Sequence, residues 1–162
     1  LRRFAPLALL PRHALGLLRE VARHLLRRPV VAICAVATTA DGRILLVRRG
    51  DSGEWALPGG TLEWGERLRD ALPRELEEEA GVRCLALGRV TGVYSRPDRD
   101  PRFHAVTVCV AARIADDVRG PHNPLEIREA RLFPPGALPD DVAPGMCDMI
   151  ADAARGGETV LE

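Results

Sequence analysis

The sequence predicts one mixed α/β (α+β) domain. Three observations carry that prediction. A β-branched apolar run at 30–37 is followed by Asp41-Gly42 and a second apolar run at 44–47, a strong hairpin signal. Residues 67–80 recur at helical spacing and stop at Gly81, a C-cap glycine. Further strand-like runs then lead to a helix over 146–154, so strands and helices alternate without forming separate blocks.

Taken in order, residues 12–28 read as a helix bracketed by Pro11 and Pro29. Leu15, Leu18, Ala22 and Leu25 form its apolar stripe, and Arg19, Arg23 and Arg27 mark another face. After the hairpin, Asp51-Ser52-Gly53 is a loop. Residues 55–57 form a short strand, with Trp55 read as core, stopped by Pro58-Gly59-Gly60. Residues 82–93 read as a strand broken by Gly88 and Gly92, 95–102 as a charged loop, 103–114 as a long strand and 127–133 as another.

The 162 residues suit one domain with an appendage. We divide them into a basic amphipathic helical arm, 1–29, and a domain, 30–162. The net charge of zero hides an asymmetry: residues 1–29 hold seven Arg and one acid, and the remainder carries the balancing acidic excess. An acidic body argues against duplex nucleic acid as a partner. All 23 basic residues are Arg, which excludes lysine nucleophiles and Schiff bases. No apolar run is long enough for a membrane span. Cys34, Cys84, Cys109 and Cys147 are isolated, so we expect free thiols and a cytoplasmic protein without structural zinc. Residue 1 is Leu, so the natural start is expected upstream. The arm fits packing on its own domain or on a homodimer mate, the favoured use, or contact with an anionic membrane.

The chemistry concentrates in residues 60–82. With Leu68 at zero and about 100° per residue, Ala71, Leu72 and Leu76 fall at about 300°, 40° and 80°. Glu75 and Glu79 fall at about 340° and 20°, on the apolar stripe, and Glu78 at about 280°, its edge. Glu77, at about 180°, faces solvent. Unpaired carboxylates on a buried face are costly, so they neutralise or bind cations. Clustered carboxylates are hard oxygen ligands suited to Mg²⁺ or Mn²⁺. Pro73 lies inside this helix and predicts a kink or a late helix start.

This segment resembles the Nudix box, G-x5-E-x7-R-E-U-x-E-E-x-G-U, where U is a bulky aliphatic. Gly60, Glu66, Arg74-Glu75, Leu76, Glu78-Glu79, Gly81 and Val82 fill every fixed position. Seven fixed residues at about 7% usage each would coincide about once in 10⁸ starting points. The resemblance implies an α/β/α sandwich with a mixed β-sheet and hydrolysis of a nucleoside diphosphate linked to another moiety. It implies that Glu78, Glu79 and the Gly60 carbonyl hold Mg²⁺ or Mn²⁺. Glu75 would be a further ligand or the base acting on water, and Arg74 with Glu66 the orienting salt bridge. Family members often add a carboxylate from a loop across the site. Glu126 and Glu129 are the candidates, with Glu126 favoured.

The stretch 99–104, RDPRF-H, resembles the RDPRG-H of ADP-ribose-type Nudix hydrolases, with Phe103 in place of glycine. Arg99 and Arg102 are therefore expected to grip phosphate, and Tyr94 or Phe103 to stack on a base. His104 reads as structural. The expected substrate is ADP-ribose-like. The alternatives are a nucleoside triphosphate, including an oxidised one, or a non-catalytic nucleotide sensor, which the intact carboxylate set disfavours.

Overall fold

The computed structural model describes residues 16–22 and 28–162. Among these, the strands form one eight-stranded mixed sheet: β1 (Val30–Thr38), β2 (Ile44–Arg49), β3 (Trp55–Ala56), β4 (Gly59–Thr61), β5 (Cys84–Tyr94), β6 (Ala105–Ile114), β7 (Ile127–Phe133) and β8 (Val160–Leu161). Helix α1 is Leu68–Ala80 and α2 is Met146–Arg155. The main strand order is β3-β2-β1-β6-β5-β8, with β4 added on β1 and β7 on β2.

Strand alternation explains the layers. Ile33, Ala35 and Ala37 of β1 face one core with Ala71, Leu72, Leu76 and Ala80 of α1. Cys34 and Val36 point the other way, into a core with Trp55, Leu57, Tyr94, Met149 and Ile150. Strand β1 is therefore covered on both faces, the sandwich expected from the sequence. Trp55 meets Phe133 edge to face at 4.9 Å and is core, as expected. Cys34 and Cys109 are buried, and all four cysteines are free.

Several boundaries differ from the sequence reading. The hairpin turn forms as expected, with the Gly42 N–H donating to the Thr39 carbonyl, but β1 and β2 register at a single pair, Thr38 with Ile44. The long partner of β1 is β6, parallel and in register from Val30–Ala105 to Thr38–Arg113. The strand from Trp55 stops before Pro58-Gly59-Gly60 as expected, at Ala56, but the two glycines then re-enter the sheet. Gly59, Gly60 and Thr61 form β4, paired with Cys34, Ile33 and Ala32. A Cβ at Gly59 would collide with the Ile33 carbonyl oxygen and lie 2.6 Å from the Cys34 Cα, so only glycine permits this pairing. Strand β5 stays continuous through Gly88 and Gly92 and absorbs the irregularity as register shifts.

Helix α1 begins at Leu68 and runs through Pro73, so no late start occurs. At its other end the Gly81 N–H donates to the Glu77 carbonyl at 2.8 Å and the Val82 N–H to the Leu76 carbonyl at 3.3 Å. Gly81 takes the left-handed conformation such a cap requires. Residues 16–22 are helical, and the rest of the predicted 12–28 helix lies outside the described residues. Leu17 and Leu18 are 67% and 60% exposed, so over this stretch the apolar stripe is not packed on its own domain. Among the described residues, no helix is long and apolar enough to cross a membrane.

Candidate active site

Strand β4 and helix α1 meet through glycine. A Cβ on Gly60 would lie 2.8 Å from the Glu75 carboxyl carbon, so the missing side chain lets the carboxylate rest on the strand. The Gly59 N–H donates to Glu79 Oε2 at 2.8 Å. The helical phase holds for the inner pair: Glu75 is buried beside Leu72 and Leu76, and Glu79 is half-buried; Glu78, expected at the edge of the stripe, is exposed, whereas Glu77, expected to face solvent, is half-buried. Glu77 lies outside the acidic cavity, paired with Arg119 at 3.0 Å and 3.7 Å from His122 Nε2.

Arg74 is the cation of this cluster. Its Nε and Nη2 donate to both oxygens of Glu66, at 2.8 and 3.0 Å, the two-point geometry a guanidinium allows. The same guanidinium lies 3.0 Å from Glu75 Oε1 and from Glu78 Oε2. Hydrogen bonding to Arg74 holds the Glu66 carboxyl below its ordinary value. Burial acts the other way on the inner pair. It raises Glu75, against the pull of Arg74, and pushes Glu79 up to about 8, with Glu75, Glu126 and Glu78 adding like-charge repulsion.

These side chains line a cavity of about 500 Å³ containing Glu75, Glu78, Glu79, Arg74 and, from the facing loop, Glu126. Glu129 is on β7, paired with Arg131, and is not part of this wall. The lining also includes His122 and Asn123, which the sequence reading missed. The His122 N–H donates to the Glu78 carbonyl at 2.8 Å, so this loop closes on the end of α1. A histidine in a polar loop carried no signal of that return.

The donor set fits a hard divalent cation. Five carboxylates, Glu63, Glu75, Glu78, Glu79 and Glu126, share one cavity, and burial, with smaller like-charge repulsion, raises two of them, Glu75 and Glu79. Among the described residues, no three His, Cys, Asp or Glu side chains already converge as a ligand set. Glu78 is turned to Arg74 and Glu79 to the Gly59 amide, so closing round a cation requires those carboxylates to turn.

A second cavity, about 410 Å³, adjoins the first, and Gly59, Gly60, Thr61, Glu79, Glu126 and Ile127 line both. Its wall includes Leu57, Arg49, Asp51, Asp100, Arg102 and Phe103. Phe103 is 37% exposed, with the Arg102 guanidinium 5.1 Å from its ring centre. Arg102 is held by Asp100, at 2.7 Å, and Asp51, at 3.3 Å.

Two of the expected substrate residues are placed otherwise. Tyr94 is 1% exposed, and its hydroxyl donates to Asp152 Oδ2 at 2.8 Å, so its ring is core and cannot stack on a base. Arg99 borders the cavity, but its donors go to Glu162, Asp148 and the Gly145 carbonyl, so its charge is already spent on protein partners. His104 is structural as expected, with Nε2 2.8 Å from the Ser95 carbonyl oxygen.

A mixed sheet between helices, with an acidic helix closing on a glycine strand, defines a Nudix-type domain. The NUDIX domain model matches residues 27–153, and the chain belongs to the Nudix hydrolase family. Members of that family typically use divalent metal ions. An ADP-ribose pyrophosphatase from Methanocaldococcus jannaschii is 41% identical over 83 residues, covering 49% of this chain and 48% of that protein. The chain thus spans about half the length of that relative. An RNA pyrophosphohydrolase from Novosphingobium aromaticivorans is 31% identical over 136 residues, covering 72% of this chain and 83% of that one. Among solved structures, a MutT Nudix hydrolase from Burkholderia pseudomallei superposes with a TM-score of 0.68 at 27% identity, covering 78% of this chain and 98% of that one. An ADP-ribose pyrophosphatase from Streptococcus suis gives 0.67 at 26% identity, covering 83% and 100%.

Proposed function

We propose that this chain is a Mg²⁺- or Mn²⁺-dependent pyrophosphohydrolase that cleaves a nucleoside diphosphate linked to another moiety, with an ADP-ribose-like compound as substrate. One observation carries the reading: the acidic cavity and the cavity beside Phe103 share six wall residues. A single extended molecule laid across both places its anhydride beside the carboxylates and its base beside Phe103. The likeness to the Methanocaldococcus and Streptococcus ADP-ribose pyrophosphatases supports the same substrate class.

Glu78, Glu79, Glu75 and the Gly60 carbonyl are the groups that would hold the cation. Once bound, the cation neutralises pyrophosphate charge and polarises phosphorus. Everything else falls to the chain. Glu126 faces α1 across the cavity and accepts the proton of the attacking water, with Glu75 the other candidate for that role. Arg74 fixes Glu66, Glu75 and Glu78 relative to one another and acts as a positioning residue. Phe103 stacks on the base, and Arg102, its charge held by Asp100 and Asp51, borders that end of the substrate. The nucleophile is water, so no covalent enzyme intermediate forms.

The test is a mass-resolved product assay over ADP-ribose, other nucleoside diphosphate derivatives, nucleoside triphosphates and 5′-triphosphorylated RNA. Cleavage of ADP-ribose to two monophosphates supports the reading. Release of pyrophosphate from triphosphates, with ADP-ribose untouched, replaces it with a triphosphate-pyrophosphatase reading.

A further inference from the structure

The loop 95–104, between β5 and β6, supplies Arg96, Asp100, Arg102 and Phe103 to the wall of the 410 Å³ cavity. What holds this loop comes from far along the chain. Oε2 of Glu162 accepts the backbone N–H groups of Ser95 and Arg96, each at 2.9 Å. The same carboxylate pairs with Arg99 Nη2 at 2.6 Å. Main-chain bonds reinforce it: the Glu162 N–H donates to the Val93 carbonyl at 3.0 Å, and the Ser95 hydroxyl donates to the Glu162 carbonyl at 3.2 Å. Strand β8 runs parallel to the end of β5, which delivers Glu162 to this place.

Arg99 then extends the link to α2. It donates to the Gly145 carbonyl at 2.8 Å and to both Asp148 oxygens, at 3.1 and 2.7 Å. A Cβ on Gly145 would stand 2.6 Å from Arg99 Nη1, so the helix start is shaped to admit the guanidinium. Pro144 and Met146, on either side of Gly145, also line the cavity. The Arg99 side chain is 11% exposed, Glu162 17% and Asp148 47%, and the Arg99 guanidinium lies 4.6 Å from the Tyr94 ring centre, so the Arg99–Glu162 pair is the shielded part of the link. Pairs protected in this way hold geometry better than exposed surface pairs.

We propose that Glu162, acting through Arg99, is a positioning residue for substrate: it clamps loop 95–104 to the start of α2 and so sets where Arg102 and Phe103 stand. The proposal rests on the reading of the 410 Å³ cavity as the nucleoside end of the site. Nothing in the clamp touches the carboxylate cavity, so it acts on substrate binding and leaves the chemical step alone.

The experiment compares Glu162→Gln with the parent protein. Loss of a charged hydrogen-bonding partner is expected to raise KM for ADP-ribose about tenfold, with kcat within about twofold. Hydrogen exchange at the amides of 95–104 should accelerate about tenfold, with α1 and β1 unchanged. Trypsin should cut faster after Arg99 and Arg102. If Glu162→Gln does not fold, Glu162→Asp, which keeps the charge and shortens its reach, is read in the same way. Unchanged exchange and proteolysis of the loop overturn the clamp. A loosened loop with unchanged KM, or with kcat falling and KM constant, overturns its role in positioning substrate. If the parent protein cleaves no nucleotide at all, the functional reading fails, and the exchange and trypsin arms still decide whether the clamp exists.

Discussion

Replacing Glu79 with Gln should trade activity for stability, and the size of the trade follows from the site. The carboxyl has a half-buried position beside Glu75, Glu78 and Glu126, and one backbone partner, the Gly59 N–H. Burial moves it from 4.5 up to about 8. In the cation-free protein the folded state therefore keeps a proton between these pH values that the unfolded chain has lost. Stability falls as pH rises through that window, because the native state binds more protons than the unfolded one. The full shift corresponds to about 5 kcal/mol at most. Glutamine carries no charge to neutralise, so this loss disappears. Urea unfolding in chelator at pH 5, 7 and 9 should show the parent losing stability with pH and E79Q losing much less, with E79Q the more stable at pH 9. With Mg²⁺ and substrate the order reverses: removing a cation ligand should cost about 3 kcal/mol of transition-state stabilisation, or about 100-fold in rate. Parallel pH profiles for the two proteins would refute the claim that Glu79 is a strained, cation-requiring carboxylate.

Three further substitutions test other parts of the account. Arg74→Lys removes the two-point contact with Glu66 and should lower kcat at least tenfold with unchanged circular dichroism, since an ammonium cannot span Glu66, Glu75 and Glu78 together. Gly59→Ala forces a Cβ into the β1 backbone and should destabilise the protein by about 3 kcal/mol, read as a drop in urea midpoint at constant m-value. Glu77→Gln weakens half-exposed contacts with Arg119 and His122, so stability should change by less than about 1 kcal/mol and activity within twofold. A Glu77 effect as large as that of Glu79 would contradict the helical phase.

Helix α1 was legible because its information is local. Fixed spacing placed Glu66, Arg74, Glu75, Glu78 and Glu79, and a rotation of about 100° per residue sorted Glu75 and Glu79 from Glu77. Strand β7 was equally plain from its own residues. Strand β4 was hidden because glycine carries no strand propensity; it forms only because glycine alone can approach β1 so closely. The parallel pairing of β1 with β6 depends on chain returning from far away, and neither run encodes its partner. The same distance explains Arg99 and Tyr94. Their acidic partners, Glu162 and Asp152, lie 63 and 58 residues away, so a loop arginine and an aromatic beside it read as substrate contacts. Glu126 and Glu129 differ by three positions, and only the fold shows that Glu126 faces the carboxylates while Glu129 turns to Arg131.

The central claim is tested most directly by hydrolysing ADP-ribose in ¹⁸O-labelled water and weighing the products. The account predicts AMP and ribose 5-phosphate, with one ¹⁸O atom in one of the two phosphates, formed with Mg²⁺ or Mn²⁺ and abolished by excess chelator. No cleavage of any nucleoside diphosphate derivative with the cation present, or undiminished turnover in chelator, would contradict it.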